Sequence, residues 1–156
     1  FPGLSVGEAL VELGVPLSEV RYVGGDRLEA TVYPRAGFEF TRVELAGLQR
    51  SMTLRNARIP LVVLRARTRI AELIGRSGTK AVLAMGGYVT IPAALAARKR
   101  HIAFFNAEQN AEAGLANRVT ARWAQETFVA FPDTGGIPHG SWVGNPVRKE
   151  FWSFDR

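Results

Sequence analysis

The sequence contains no cysteine, and only two of its 156 residues are histidine. Without cysteine there can be no disulfide, no thiolate zinc site and no thiol nucleophile, and the composition fits a reducing compartment. His101 and His139 lack partners at metal-ligand spacing, so neither a metal site nor a metal cofactor is expected. Long hydrophobic runs are also missing. The apolar stretches, such as 59–64 and 81–85, are far too short to span a bilayer. No P-loop, no G-x-S-x-G elbow and no G-x-G-x-x-G after an apolar run is present, which argues against a Walker-type nucleotide site, a serine hydrolase and a dehydrogenase. The opening Phe1-Pro2-Gly3 has neither the basic start nor the apolar region of a secretory leader.

What remains is a chain with 47% hydrophobic and 22% charged residues, the balance of a globular domain with a real core. Its net charge is +6, and the excess is local. Between residues 48 and 76 stand seven arginines, Arg50, Arg55, Arg58, Arg65, Arg67, Arg69 and Arg76, against the single acid Glu72. A basic stretch of this kind suits an anionic partner or a solvated helix face. It contains no aromatic residue, which argues against a single-stranded nucleic-acid surface, and no nucleic-acid partner is expected.

Short β-type runs alternate with helical patterns. A helical segment is expected to end at Gly14, a short helix or turn interrupted by Pro34 to occupy 28–36, and a longer helix to start at Pro60, where Val63, Ala66, Ile70, Leu73 and Ile74 fall on one face and Gly75 and Gly78 close the helix. Further helices are expected at 91–99 and 115–123. Strands are expected at 20–23, 38–45, 81–85 (buried), 102–105, 127–131 and 141–143. This alternation predicts an α/β fold, a doubly wound, Rossmann-like parallel sheet with helices on both faces. Ligands of such sheets bind beyond the carboxyl ends of the strands.

Those ends carry the unusual residues. Gly86-Gly87-Tyr88-Val89-Thr90 is a glycine turn entering a helix, where free N–H groups can hold a phosphate. Asn106 to Asn110 is polar and amide-rich after an apolar strand. Asn and Gln can read a sugar or a uracil edge, and Glu108 is either a base or a loop support. After the last strand, Arg148 in Gly144-Asn145-Pro146-Val147-Arg148 could clamp a phosphate with its planar fork.

Taken in order, Gly86-Gly87-Tyr88-Val89-Thr90, Glu108-Gln109-Asn110, Ala113-Gly114-Leu115-Ala116-Asn117-Arg118, Ala130-Phe131-Pro132 and Gly144-Asn145-Pro146-Val147-Arg148 resemble the MurG family. Phe1-Pro2-Gly3-Leu4 resembles the text after that family's first glycine loop. The resemblance implies the amino-terminal, acceptor-side half of a GT-B glycosyltransferase that moves N-acetylglucosamine from UDP-GlcNAc to lipid I, giving lipid II for peptidoglycan. It implies a domain at 1–148, the start of an interdomain linker at 149–156, and a donor domain not included in these residues. By motif match, Asn110 and Arg148 are implied in UDP-GlcNAc binding, and Gly86, Gly87, Tyr88 and Thr90 at the acceptor diphosphate. Met52, Leu54, Arg55, Arg58, Ile59, Leu61, Leu64 and Arg65 are implied in peripheral docking on the cytoplasmic face of an anionic cell membrane. No cofactor is implied, and the half-enzyme is expected to be inactive alone.

The departures are specific. The family's first strand and its GGTGGH loop, with the histidine proposed as general base, have no counterpart here, so Glu108 is the one catalytic candidate. The family usually has His where Ala107 stands and Ser-Gly where Thr90-Ile91 stands. Two alternatives stay open: a non-catalytic, membrane-anchoring subunit of a two-chain sugar transferase, and a GT-B enzyme acting on another lipid acceptor.

Overall fold

A computed structural model describes residues 1–44 and 59–147. Helix α1 (Pro2–Glu12) opens on a proline, whose missing N–H costs nothing in the first helical turn. It is followed by β1 (Arg21–Gly24), α2 (Glu29–Arg35) and β2 (Glu39–Arg42). The second part runs α3 (Ile59–Ser77), β3 (Ala81–Ala84), α4 (Thr90–Arg100), β4 (Ala103–Glu108), α5 (Leu115–Thr120), β5 (Glu126–Val129) and β6 (Ser141–Trp142).

All strand pairs among the described residues are parallel, as the βα alternation predicts. They form two ladders, β1–β2 and β3–β4–β5–β6, so β1 and β3 each keep one edge without a ladder partner among the described residues. Helices lie on both faces. Tyr22 stacks on Tyr33 of α2 and donates its hydroxyl to Gly3 O of α1 at 2.8 Å. Its neighbour Val23, pointing the other way as strand alternation requires, packs with α3 and α4.

The main core joins Val43 to Ala66, Ile70, Ala71 and Ile74 of α3 and to Ala93 and Ala96 of α4. A second cluster seats Ala94 and Ala97 of α4 on Ala84 and Phe104. Alanine on both sides of α4 lets this helix lie close to α3 and to the sheet at once. Arg100 closes the far end, donating from Nε to Ala71 O at 2.7 Å.

Four sequence expectations change. Gly75 does not end α3. It lies within the helix, where the Arg100 guanidinium crosses it: an added Cβ would meet Arg100 Nη2 at 2.8 Å. Gly78, at φ +64°, ends the helix. Strand β3 is not buried: Ala81 and Leu83 are exposed because they face away from the helices that cover Val82 and Ala84. Strand β4 runs on to Glu108, because its ladder with β5 continues through Ala107↔Phe128 and Glu108↔Val129. The strands at 38–45, 127–131 and 141–143 are shorter than expected.

Candidate functional site

The turn after β3 is built by two glycines in the left-handed region, Gly86 at φ +86° and Gly87 at φ +80°. A side chain at either position would be strained there. The turn delivers the chain to the N-terminus of α4, where Val89 caps without a side-chain hydrogen bond. Thr90, in the first turn, is buried, and its Oγ1 has no hydrogen-bond partner among the described residues. Tyr88 is exposed beside it. Thr90 N already donates to Gly87 O at 3.3 Å, Ala93 N donates to Val89 O at 3.0 Å and Pro92 has no N–H, so Ile91 N, the unpaired Thr90 hydroxyl and the positive end of the helix are what this turn offers an anion.

One strand over, the end of β4 carries Glu108, 4% exposed. Its Oε1 accepts from Asn110 N at 3.0 Å and Asn110 Nδ2 at 2.8 Å. Its Oε2 accepts from Gly114 N at 2.9 Å and Asn117 Nδ2 at 3.0 Å. Burial pushes this carboxyl up, but the hydrogen bonds from Gly114, Asn110 and Asn117 outweigh it and hold the pKa below the ordinary glutamate value. Glu108 is therefore ionised at neutral pH. Asn110 itself is exposed.

Asn117 joins the two loops. Its Nδ2 also donates to Ala107 O at 3.1 Å, and an added Cβ on Gly86 would lie 3.5 Å from that nitrogen. With both bonded atoms being acceptors, the nitrogen assignment of the amide is unambiguous. Its Oδ1 is left buried without a partner among the described residues. Beneath it Asn106 Nδ2 donates to Thr120 Oγ1 at 3.0 Å, so the buried side of α5 is pinned to β4 by polar contacts.

This domain pattern has known counterparts. The model of the glycosyltransferase family 28 N-terminal domain matches residues 1–129. The chain belongs to that family. Among curated relatives, proteins named UDP-N-acetylglucosamine–N-acetylmuramyl-(pentapeptide) pyrophosphoryl-undecaprenol N-acetylglucosamine transferase are similar to it. That of Albidiferax ferrireducens is 38% identical over 97% of this chain and 39% of its own length. Those of Cupriavidus necator and Vibrio parahaemolyticus are 38% and 37% identical, each over 99% of this chain and 42% of the relative. The crystal structure of Acinetobacter baumannii MurG superposes with a TM-score of 0.78 at 27% identity, covering 96% of this chain and 43% of that one. The chain thus spans about two-fifths of the length of the relatives it matches. The expected fold, the amino-terminal half of a GT-B glycosyltransferase, is the one observed.

In this family 28 domain the sequence-derived residues fall into three groups. Gly86, Gly87, Tyr88 and Thr90 lie in the turn and first helical turn after β3, and Glu108 and Asn110 lie at the end of β4. Asn117 brings these two groups together. Ile59, Leu61, Leu64 and Arg65 lie on the first two turns of α3, with Leu61, Leu64 and Arg65 exposed. Leu64 and Arg65 border a shallow surface depression with Thr68, Arg69 and Glu72. Met52, Leu54, Arg55, Arg58 and Arg148 lie outside the described residues. No helix among the described residues is long and apolar enough to cross a membrane, and no cluster of three His, Cys, Asp or Glu side chains suited to a metal ion occurs among them.

Sequence reasoning placed Asn117 within a motif but gave it no role, and it passed over Thr120. The signal for both was their spacing of three on a short helix. That spacing puts two polar side chains on the face that turns toward β4.

Proposed function

We propose that this domain is the acceptor-side half of an enzyme that transfers N-acetylglucosamine from UDP-GlcNAc to lipid I, forming lipid II on the cytoplasmic face of the cell membrane. The observation that carries the reading is the adjacency of two ligand-type loops at the carboxyl ends of β3 and β4, joined through Asn117. The similarity to the named transferases supplies the substrate classes.

In this reading the Gly86-Gly87 turn, Tyr88 and Thr90 meet the acceptor diphosphate. The start of α4 gives partial positive charge and the Ile91 N–H, and Thr90 Oγ1 gains the partner it lacks among the described residues. Asn110 and Arg148 contribute to the UDP-GlcNAc site. The acceptor hydroxyl attacks the anomeric carbon of the donor sugar and UDP departs, without a metal ion. Positive charge from Arg148 and helix N-termini then has to balance the leaving diphosphate. Glu108 keeps all its acceptor positions occupied, so the base that takes the hydroxyl proton belongs elsewhere. Leu61, Leu64 and Arg65, with Met52, Leu54, Arg55, Arg58 and Ile59, form the docking surface on anionic lipid.

The test is turnover of a lipid I analogue with UDP-GlcNAc. The full-length transferase carrying this domain is expected to be active, and these 156 residues alone inactive. Turnover by the 156 residues alone would overturn the half-enzyme reading. Equal turnover by full-length wild type and Gly87→Val would overturn the role of the glycine turn.

A further inference from the structure

We infer that Glu108 is a positioning residue for Asn110: it holds the Asn110 side-chain amide with Nδ2 inward and Oδ1 outward, so that the donor sugar is met by a hydrogen-bond acceptor and the ligand group recognised there is a hydroxyl or an amide N–H. This rests on the reading above in which Asn110 touches the donor.

Four donors converge on the Glu108 carboxylate, two on each oxygen, at 2.8–3.0 Å. A carboxylate offers about four lone-pair positions, so none is left to take a proton from substrate. Two of the four donors belong to Asn110, its backbone N–H and its Nδ2, and both go to the same oxygen. That pair of bonds ties the backbone and the side chain of Asn110 to one buried point. Rotating the amide by half a turn would replace Nδ2 with Oδ1 and set a carbonyl oxygen against an anion, which is repulsive at this distance. The remaining two donors, Gly114 N at the start of α5 and Asn117 Nδ2, hold the carboxylate itself in place. Asn110 is exposed although its anchor is buried, so its Oδ1 is available to ligand. A general base would need the reverse arrangement, an open lone pair facing the substrate.

The experiment is steady-state kinetics of the full-length transferase with UDP-GlcNAc varied, for Asn110→Ala, Glu108→Gln and the double variant. Thermal unfolding is followed for each, and also for Asn110→Asp in both the Glu108 and the Glu108→Gln backgrounds. Asn110→Ala is expected to raise donor KM about tenfold, the loss of a hydrogen bond or two. Glu108→Gln is expected to raise it to a similar extent with kcat within about threefold of wild type, and the double variant to be no worse than the worse single one, as for residues acting through one another. Asn110→Asp is expected to melt below Asn110→Ala in the Glu108 background and level with it in the Glu108→Gln background.

Multiplying KM effects would overturn the proposal. So would a large kcat loss in Glu108→Gln with donor KM unchanged and the acidic limb of the pH–rate profile removed, which is the signature of a base. If Asn110→Ala leaves donor KM at the wild-type value, the donor reading of Asn110 fails by itself. The melting comparison then decides whether Glu108 holds this amide, and equal melting of Asn110→Asp and Asn110→Ala in the Glu108 background rejects it. Should Glu108→Gln not fold, that same comparison in the Glu108 background still separates the two outcomes.

Discussion

Asn117 donates to Glu108 Oε2 at 3.0 Å, so a helix residue and a strand-end residue nine positions apart meet inside the protein. Both are almost fully buried, and a Cβ added to Gly86 would lie 3.5 Å from Asn117 Nδ2. The polar loop after β4 is therefore held by this pair, and the glycine turn after β3 passes close beside it.

Changing Asn117 to Asp should disrupt that pair directly. A second carboxylate would stand where Glu108 now finds a donor, and the oxygen that replaces Nδ2 would also face the acceptor Ala107 O. The expected loss is about 2–3 kcal/mol at neutral pH, with Asn117→Ala somewhat milder. Urea unfolding of the wild type and the two variants measures it, and equal midpoints would show that the pair contributes nothing.

Stability should fall in acid in a way traceable to Glu108. Its native pKa is lowered, so its contribution is complete above the ordinary glutamate range. It is lost as pH falls through that range and then through the lowered native value. Protonation would put a hydrogen on an oxygen that already faces two donors. Unfolding free energies measured from pH 6 down to pH 3 should drop more steeply for wild type than for Glu108→Gln. Parallel curves would show that other carboxyls carry the acid dependence.

Helix α1 passes β1 at Gly7, where an added Cβ would overlap the Tyr22 hydroxyl and reach the Tyr22 ring carbon Cζ at 3.0 Å. Tyr22 cannot easily move, being stacked on Tyr33 with ring centroids 3.8 Å apart and set edge-on to Phe38. Gly7→Ala is expected to destabilise by about 1–3 kcal/mol through overpacking. Adding Tyr22→Phe removes the overlapping oxygen and should recover part of the loss, despite the hydrogen bond to Gly3 O that it gives up. A double variant as unstable as the sum of the two single changes would show that the hydroxyl is not the obstacle.

Binding to lipid should be electrostatic and peripheral. Leu61, Leu64 and Arg65 are exposed along the first half of α3, and no salt bridge to Arg65 occurs among the described residues. Each basic residue near anionic headgroups contributes about 1 kcal/mol, so Arg55, Arg58 and Arg65 together contribute about 3 kcal/mol. Reversing all three to Glu should lower sedimentation with anionic vesicles by about two orders of magnitude and leave the circular dichroism spectrum unchanged. Binding to neutral and anionic vesicles alike, insensitive to salt, would overturn the electrostatic account.

Activity of the full-length transferase is expected to survive chelation, because the proposed reaction balances the leaving diphosphate with Arg148 and helix N-termini rather than with a cation. Rates in EDTA, with and without added Mg²⁺ or Mn²⁺, check this. A loss restored specifically at the chemical step would place a metal in the site.

The parallel α/β order, the apolar stripe of α3 and the glycine turn after β3 are all legible in the amino-acid order alone. Each of these is written in neighbouring residues: a period of 3.6, a period of 2, or glycine where φ must be positive. The same local text put Glu108 in a loop and left its role open between base and support. Packing of distant elements settles both points. The ladder between β4 and β5 carries the strand on to Glu108, and two of its four donors come from residues six and nine positions downstream, on and just before α5. Exposure of Leu83 was equally illegible, because whether a strand face is covered depends on where helices distant in the chain come to rest. Local patterns encode conformation. Which carboxylate is saturated and which hydroxyl is left unpaired depends on contacts that form only when the elements pack.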